Sequence, residues 1–382
     1  MEEIITINNE IKIDNPLPKK FLNKKELKKN LFLLGITILV MIIFFEIFLR
    51  FSGYTNYGFQ KGVFVNDESI GYKLSPNYSG YQSVAGKGFF LKTNNLGLRD
   101  YRDYSMMAED DRKRVVLLGD SFAFGNGMDL NETFAEILRQ KFGENVDIIN
   151  FGVPGYDINN EYMIYEWIGK KYNPDLVIVQ FTTNDWNQKK IIEENEAKKI
   201  NLSQVTRVNS MGFLVSSNST DGTLRKIHLS LLYGLKTYSF VYSNLRESLN
   251  SLVKSYFKRQ IPLEFSDPNS DEYLSAYEFY SSTIKALKEE TNGNLFIFLG
   301  PFEDEITGTE KLTQYYDTSY PIDPYQTKRD VKKIAEELNV ALIELKSNES
   351  DIYIPLDGHW NAKGHKEVAE TLYPKIKEFF DK

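Results

Sequence analysis

The chain has 382 residues, enough for one large domain or two smaller ones, and its 42% apolar and 26% charged residues are typical of a globular protein. Its formal net charge of −7 argues against a nucleic-acid binder, which normally shows a basic footprint. The absence of cysteine excludes disulfides, thiolate metal sites and a cysteine nucleophile. Three scattered histidines form no His-Glu-x-x-His pattern, so we expect no catalytic metal and no cofactor.

An apolar run near the N-terminus predicts a helix that spans a membrane. Residues 31–49 carry one charge, on Glu46, and can cross a hydrocarbon layer of about 30 Å at a rise of about 1.5 Å per residue. Glu46 lies in the last turn, where it can pair with Arg50. We therefore assign residues 1–30 to a polar cytoplasmic tail and residues 31–51 to a transmembrane helix.

The charges around this run predict its orientation. Lysines at positions 19, 20, 24, 25, 28 and 29 precede it, whereas Arg50 alone follows it. The positive-inside rule then keeps the N-terminus in the cytoplasm and exports the rest of the chain. A cleaved signal peptide is the alternative, but the run exceeds the usual apolar length of about 7–15 residues and no Ala-x-Ala-like site follows. We expect an uncleaved anchor.

Two regions of different composition follow the run. Residues 52–113 are rich in Gly, Tyr, Asn and Ser and predict a membrane-proximal segment of small strands and turns. Residues 114–382 alternate apolar runs with amphipathic patterns and form the main domain. We predict strands at Val115–Leu118, Val146–Asn150, Leu176–Phe181, Leu295–Leu299 and Ala341–Leu345, and helices near Thr133–Phe142, Asn160–Tyr172, Ser270–Glu290, Thr327–Leu338 and Ala362–Phe380.

This alternation indicates an α/β fold whose five-stranded parallel sheet is covered by helices on both faces. Ligands bind beyond the carboxyl ends of the strands in such sheets, and Ser121, Gly155 and Asn184 each follow a predicted strand. Residues 191–266 are an insertion with a predicted helix from Leu224 to Lys258. The insertion is either a lid or docking face, or a cover for the edge of the sheet.

Two short segments carry the groups that acyl transfer needs. Gly119-Asp120-Ser121 follows the first predicted strand and places a serine hydroxyl at a strand-to-helix turn. Asp357-Gly-His359 supplies an imidazole and a carboxylate near the C-terminus. A serine becomes nucleophilic when a base takes its proton and an acid orients that base. Together the segments predict an ester hydrolase or an acyltransferase.

Four blocks of the sequence carry a resemblance to a known family. They are Gly119-Asp120-Ser121-Phe122, Asn150-Phe-Gly-Val-Pro-Gly155, Thr182-Thr-Asn184-Asp185 and Asp357-Gly-His359, and the similar stretch Asn94-Asn-Leu-Gly-Leu-Arg99 precedes them. From roughly Arg114 to Phe380 the chain resembles the SGNH (GDSL-type) hydrolase superfamily, especially its membrane-anchored bacterial members. The resemblance implies a flavodoxin-like, doubly wound sheet.

The resemblance also implies a role for each block. Ser121 is the implied nucleophile, and its backbone N–H is the first donor of the oxyanion hole. Gly155 supplies the second donor, in preference to Gly152, and the side-chain amide of Asn184 supplies the third. His359 is the implied base and Asp357 the acid that orients it.

Two departures from the family pattern affect these roles. Thr182 stands where the third block usually has glycine, which predicts a narrower pocket. Asp357 is one residue closer to His359 than in the common Asp-x-x-His spacing, so a Ser–His dyad is the alternative to a triad. We expect Asp185 to position the loop of Asn184, and His365 to point away from the site.

Three functions fit these observations, for a single-pass protein of the bacterial cytoplasmic (inner) membrane with an extracytoplasmic catalytic domain. The first is a serine esterase that acts on O-acyl esters, in particular O-acetyl esters, of cell-envelope glycans or lipids. The second is an O-acyltransferase for surface polysaccharide, which would need a multispanning membrane partner that exports acyl groups. The third is a non-catalytic envelope assembly module.

Overall fold

The computed structural model describes residues 24–56, 58–84, 87–106, 112–186, 191–194, 197–200, 207–208, 214–215, 223–245, 259–317, 321–347, 349–355 and 357–382. The chain divides into two compact units, Met1–Tyr54 and Thr55–Lys382. The first unit contains one long helix, and the second contains a central sheet with its surrounding helices.

Helix α1, Lys24–Phe51, is the apolar helix of the first unit. Its most apolar stretch has a mean hydropathy of 2.8, and by length and composition it is able to cross a membrane or to serve as a signal sequence. The predicted pairing of Glu46 with Arg50 is confirmed at 2.7 Å. The helix covers the whole predicted span, residues 31–51, and extends seven residues before it to Lys24, since lysine is a good helix former.

A five-stranded parallel sheet forms the centre of the second unit. Its strands are β5 (Lys113–Leu118), β6 (Val146–Asn150), β7 (Leu176–Phe181), β13 (Leu295–Leu299) and β15 (Ala341–Glu344). They lie in the order β15-β13-β7-β5-β6, and every neighbouring pair is parallel. The predicted α/β fold with a doubly wound, flavodoxin-like sheet is confirmed.

Successive side chains of a strand point to opposite faces of the sheet, and both faces of this sheet are buried. Val116 and Val177 belong to one apolar cluster, whereas Val115 and Leu176 belong to a second cluster. Helices of the second unit outside the insertion are α2 (Ser121–Phe124), α3 (Phe134–Phe142), α4 (Ile158–Trp167), α7 (Asp271–Glu290), α8 (Glu303–Thr307), α9 (Thr309–Tyr315), α10 (Gln326–Glu337) and α11 (Ala362–Phe380).

Polar caps explain where two of these helices begin. The Asp157 side chain accepts the N–H groups of Asn159 and Asn160, so α4 starts two residues before the prediction. α4 ends at Trp167, and a 3₁₀ turn covers the remainder of the predicted helix. The Asn361 side chain caps α11, which begins at Ala362 as predicted.

The segment before the sheet forms two small antiparallel hairpins. β1 (Phe64–Asp67) pairs with β2 (Gly71–Leu74), and β3 (Ser79–Val84) pairs with β4 (Lys87–Lys92). Tyr72 and Phe89 from these hairpins join the same apolar cluster as Val116 and Phe124. The predicted small strands are therefore confirmed, and they share a core with the main sheet.

The insertion contributes short pieces of structure. They are β8 (Ile191–Glu194), β9 (Ala197–Ile200), β10 (Arg207–Val208), β11 (Leu214–Val215), α5 (Thr223–Gly234), α6 (residues 236–245) and β12 (Arg259–Gln260), which pairs with β14 (Tyr316–Asp317). The single helix predicted from Leu224 to Lys258 is wrong, because it is interrupted after Gly234, a residue that disfavours helix interiors. Residues 246–258 of that prediction lie outside the described residues.

Candidate active site

The candidate site lies where three neighbouring strands of the sheet end. Ser121 follows β5, Gly155 follows β6 and Asn184 follows β7. These strands are adjacent, with β5 between the other two. From β5 the chain passes first to β6 on one side and then to β7 on the other side. Such a switch point opens a crevice at the carboxyl ends of the strands, which is where doubly wound folds bind ligands.

The turn that presents Ser121 depends on a capping carboxylate and a close backbone approach. The Asp120 side chain accepts the N–H of Phe122 at 2.9 Å, which caps the one-turn helix α2. A Cβ on Gly119 would lie 2.6 Å from the Cβ of Ala123, so only glycine fits between the strand and the helix. The local sequence therefore fixes a sharp strand-to-helix turn with the serine at its apex.

The structure brings the serine, the histidine and the aspartate together. The Nε2 atom of His359 lies 2.7 Å from the Oγ atom of Ser121. On its other side, the Nδ1 atom of His359 is hydrogen-bonded to the Asp357 carboxylate. One imidazole thus connects a hydroxyl to an acid across 238 positions of sequence.

A tight turn makes the short spacing between Asp357 and His359 workable. Gly358 has a φ of +86°, a conformation that glycine adopts without strain, and it turns the aspartate back toward the imidazole. The turn is closed by a hydrogen bond of 2.8 Å from the N–H of Ile354 to the carbonyl of His359. No water or backbone carbonyl is needed to orient the ring.

Two backbone N–H groups at the site are free to bind an anion. The N–H groups of Ser121 and Gly155 donate no hydrogen bond within the described part of the chain. The N–H of Gly152, in contrast, donates to the Oδ1 atom of Asn150 at 2.9 Å. This difference favours Gly155 over Gly152 as the donor of a backbone hydrogen bond to a bound anion.

Asn184 lies in a short turn that two hydrogen bonds hold closed. The Oδ2 atom of Asp185 accepts the N–H of Thr182 at 2.8 Å, and the N–H of Asp185 donates to the carbonyl of Thr182 at 3.0 Å. The expected positioning role of Asp185 thus matches its contacts. The amide nitrogen of Asn184 donates to the carbonyl of Tyr156 at 2.6 Å, and the Asn184 side chain also bonds the Asp120 carboxyl group.

Aromatic side chains form the wall beside the imidazole. The Phe122 ring lies 4.8 Å from the His359 ring and 4.7 Å from the Trp360 ring, measured between centroids. Trp360 is fully buried and donates its indole N–H to the carbonyl of Pro301 at 2.9 Å. This packing limits the rotation of His359 and excludes water from one side of the site.

Buried acidic side chains lie behind the site, and one of them, Glu161, has no role predicted from the sequence. Burial, followed by the charges of Asp185, Asp120 and Asp157, raises the pKa of Glu161 well above its usual value. Both carboxyl oxygens of Glu161 are buried and lack a partner within the described residues. Burial also raises the pKa of Asp120, against the effects of its bond to the Phe122 N–H and the charge of His359. The sequence does not reveal that Glu161 is buried, because a charged residue within a helix is usually exposed to solvent.

Other contacts at the site also come from outside the four blocks. The Tyr72 hydroxyl donates to the carbonyl of Pro154 at 2.8 Å and lies 2.8 Å from where a Cβ on Gly155 would stand. Arg99 contacts the loop after α2. The stretch Asn94–Arg99 was a sequence signal for this region, although it suggested no role for the arginine.

The remaining histidines lie away from this arrangement. His365 is 1% exposed, accepts the N–H of Phe134 at 3.3 Å and points away from the site as expected. His228 contacts the Tyr238 hydroxyl at 2.9 Å in the insertion. Within the described ranges, no group of three or more His, Cys, Asp or Glu side chains is arranged to hold a metal ion.

The chain is similar to known hydrolases in sequence and in fold. A model of the GDSL-like lipase/acylhydrolase family matches residues 117–371. No curated protein matches the chain significantly. Among solved structures, a lipase/acylhydrolase from Enterococcus faecalis is 11% identical, with a TM-score of 0.37 over 70% of this chain and 96% of that chain. The esterase EstA from Pseudoalteromonas is 12% identical, with a TM-score of 0.37 over 72% of this chain and 100% of that chain.

A third solved structure is a mutant of Axe2, an acetyl-xylooligosaccharide esterase from Geobacillus. It is 13% identical to this chain, with a TM-score of 0.37 over 71% of this chain and 96% of that chain.

Proposed function

Because the chain belongs to the GDSL-like lipase/acylhydrolase family, we propose that it is a serine esterase that removes O-acyl groups, in particular O-acetyl groups, from cell-envelope glycans or lipids. The observation that carries the proposal is the 2.7 Å contact between the Ser121 hydroxyl and the His359 imidazole. Two further features support it: the bond from His359 to Asp357, and the N–H groups of Ser121 and Gly155, which have no acceptor among the described residues.

The reaction begins with proton transfer. His359 takes the proton of the Ser121 hydroxyl while the serine oxygen attacks the ester carbonyl. Asp357 holds the imidazole in the tautomer whose Nε2 atom can accept this proton, and it stabilises the imidazolium that forms. The hydrogen bond of Asp357 favours this triad over the Ser–His dyad.

The negative charge of the tetrahedral intermediate needs donors that are already in place. The N–H groups of Ser121 and Gly155 and the side-chain amide of Asn184 supply them, and the N-terminus of α2 adds its dipole. His359 then protonates the leaving alcohol, and the acyl group stays on Ser121 as an ester. Water, activated by His359, releases the acid and restores the free serine.

The location of the protein narrows the substrate. In this proposal α1 is an uncleaved anchor in the cytoplasmic membrane, residues 1–30 stay in the cytoplasm, and residues 52–113 and 114–382 lie outside. The apolar length of α1 and the lysines before it support this orientation. An esterase held at that surface meets acylated envelope glycans and lipids rather than cytoplasmic metabolites.

The test is hydrolysis of p-nitrophenyl acetate by the full chain in detergent, compared with Ser121→Ala. We expect the variant to lose about 10⁴-fold or more in kcat/KM. Equal rates for the two proteins would remove Ser121 from the mechanism. Complete absence of wild-type hydrolysis, together with no labelling by a fluorophosphonate, would favour a non-catalytic assembly module.

A second assay with an O-acetylated glycan distinguishes hydrolysis from transfer. Esterase activity releases free acetate, whereas an O-acyltransferase moves the acetyl group to a sugar hydroxyl of an added oligosaccharide. Transfer that exceeds hydrolysis, or that requires a multispanning partner, would replace the esterase by the acyltransferase.

A further inference from the structure

Arg99 is a buried cation outside the four sequence blocks of the site. It is 2% exposed, and it forms no ion pair with a carboxylate in the part of the chain that the structure describes. Its Nη1 atom donates to the carbonyls of Phe124 at 2.8 Å and Gly125 at 2.6 Å. Its Nη2 atom donates to the carbonyl of Met128. Burying a charge is costly, and three backbone carbonyls compensate for it at the two terminal nitrogens, whereas the buried Nε atom has no hydrogen-bond partner in the described ranges.

These carbonyls belong to the end of the helix that Ser121 begins. Phe124 is the last residue of α2, and Gly125 caps it with a φ of +79°. The last carbonyls of a helix lack partners within the helix and carry partial negative charge, so a cation there is stabilising. The guanidinium also lies 4.5 Å from the Phe124 ring centroid and 5.1 Å from that of Phe89.

The same loop contacts the segment that carries the base. A Cβ on Gly127 would lie 2.6 Å from the Cδ1 atom of Ile354, so the loop packs closely on Ile354. The N–H of Ile354 in turn donates to the carbonyl of His359. These contacts therefore form one continuous path from Arg99, through the loop after α2, to the turn that carries His359.

We infer that Arg99 is a positioning residue, which fixes the helix that starts at Ser121 relative to the loop that carries His359. The inference rests on the proposed function, since it assumes that Ser121 is the nucleophile. A planar guanidinium bonds several carbonyls in one fixed arrangement, which a lysine ammonium does not reproduce. The hairpin segment before β5 is then part of the catalytic unit and not a spacer.

The chain offers a matched control for this inference. Arg114 is also buried and also donates to three carbonyls: those of Ser105 at 2.9 Å, Met106 at 3.1 Å and Tyr172 at 3.0 Å. Unlike Arg99, it also forms an ion pair with Asp147, at 3.9 Å. Its guanidinium lies 6.0 Å from the Tyr172 ring. Arg114 stands near the amino end of β5, whereas Ser121 follows the carboxyl end of that strand.

The experiment compares Arg99→Met, Arg99→Lys and Arg114→Met in the full chain in detergent. The measurements are kcat and KM for p-nitrophenyl acetate, the rate of fluorophosphonate labelling at Ser121, and the thermal midpoint. We expect Arg99→Met to lose about 100-fold in kcat and in labelling rate with little change in KM, because a displacement of about 1 Å at a reacting group has that effect. Arg99→Lys is expected to lose about tenfold.

The Arg114→Met control and the labelling of wild-type Ser121 distinguish failure of this inference from failure of the proposed function. Arg114→Met should lower the thermal midpoint but keep kcat and labelling near the wild-type values. If wild-type Ser121 is not labelled, the proposed function fails. If wild-type Ser121 is labelled and the folded Arg99→Lys variant reacts at the wild-type rate, the inference about Arg99 is overturned. Equal losses in Arg99→Met and Arg114→Met at similar midpoints would overturn it as well.

Discussion

His359 and His365 lie only six residues apart, yet the molecule places them in opposite environments. His359 stands on a partly exposed loop at the carboxyl ends of the strands, between the Ser121 hydroxyl and the Asp357 carboxylate. His365 lies on α11, is fully buried and stacks on the Phe134 ring at 5.8 Å. Burial lowers the pKa of His365 to about 3, so its imidazole is neutral at physiological pH.

The carboxyl groups show the same contrast. Asp357 is partly exposed and bonded to an imidazole, whereas Glu161 is fully buried with a raised pKa and two oxygens that lack partners in the described ranges. At the rim of the sheet His359 and Asp357 bond each other, whereas His365 behind it accepts a backbone N–H, that of Phe134. Titratable residues in one small region therefore differ by position: those at the rim bond each other, and burial shifts the pKa of Glu161 and His365 behind them.

The largest expected effect separates the two histidines. His359→Gln should lower kcat/KM for ester hydrolysis by about 10⁴–10⁶-fold, because Ser121 then has no base. His365→Gln is the matched control and should leave kcat/KM near the wild-type value, because its ring contacts neither Ser121 nor Asp357. Steady-state hydrolysis of p-nitrophenyl acetate measures both. A loss in His365→Gln as large as in His359→Gln would break the comparison.

A second, smaller effect tests the acid at the rim. Asp357→Asn should lower kcat by about 10²–10⁴-fold, because an amide does not stabilise the imidazolium or select the required tautomer. The measurement is kcat from pH 6 to pH 9 with folding checked by thermal denaturation. A loss of less than about threefold would indicate a Ser–His dyad and leave Asp357 with a structural role only.

Loss of the Asn184 side-chain amide, the third predicted oxyanion donor, should lower kcat less than loss of the base His359. Asn184→Ala is expected to lower kcat by about 10²–10³-fold with KM nearly unchanged, because the lost hydrogen bond forms mainly in the transition state. Gly152→Ala is not a suitable control, since a Cβ there would lie 2.5 Å from the Phe124 nitrogen. Thr182→Ser is milder and should keep kcat. An increase in KM alone for Asn184→Ala would assign this amide to substrate binding.

The smallest effect concerns stability and not activity. Since the pKa of His365 is about 3 in the folded chain and 6.5 when unperturbed, only the unfolded chain takes up this proton as the pH falls below 6.5. Stability is therefore lost between pH 6.5 and pH 3, by up to about 1.4 kcal/mol per pH unit. From pH 7 to pH 5 the wild type should lose about 2 kcal/mol more than His365→Gln.

Urea denaturation at these pH values measures this difference. Between pH 7 and pH 9 the two proteins should change in parallel, because His365 is neutral in both the folded and the unfolded chain over that range. Parallel curves from pH 7 to pH 5 as well would show that His365 is not held neutral by burial.

Much of the fold follows from the sequence because buried parallel strands appear as mostly apolar runs. The bounds of β6, β7, β13 and α11 were predicted without error for that reason and because Asn361 is a clear cap. The helix predicted across Gly234 is interrupted in the structure. Apolar periodicity continues through that glycine, but the structure does not continue the helix.

The site was predictable only where its residues follow strands in sequence. Ser121, Gly155 and Asn184 are marked by the apolar runs that precede them, and His359 by the small number of histidines. Arg99 and Glu161 carry no such mark, because their role depends on contacts with residues far along the chain. The Gly358 turn that brings Asp357 to His359 is also a property of the folded loop and not of the spacing.

The central claim is that Ser121 carries the acyl group during turnover. The most direct measurement is mass spectrometry of the full chain, quenched in acid during hydrolysis of p-nitrophenyl acetate and cut into peptides. We predict an acetyl group on the peptide that contains Ser121 in the wild type, and none in Ser121→Ala or His359→Gln. Acetylation of a different residue, with hydrolysis continuing and Ser121 unmodified, would contradict the account.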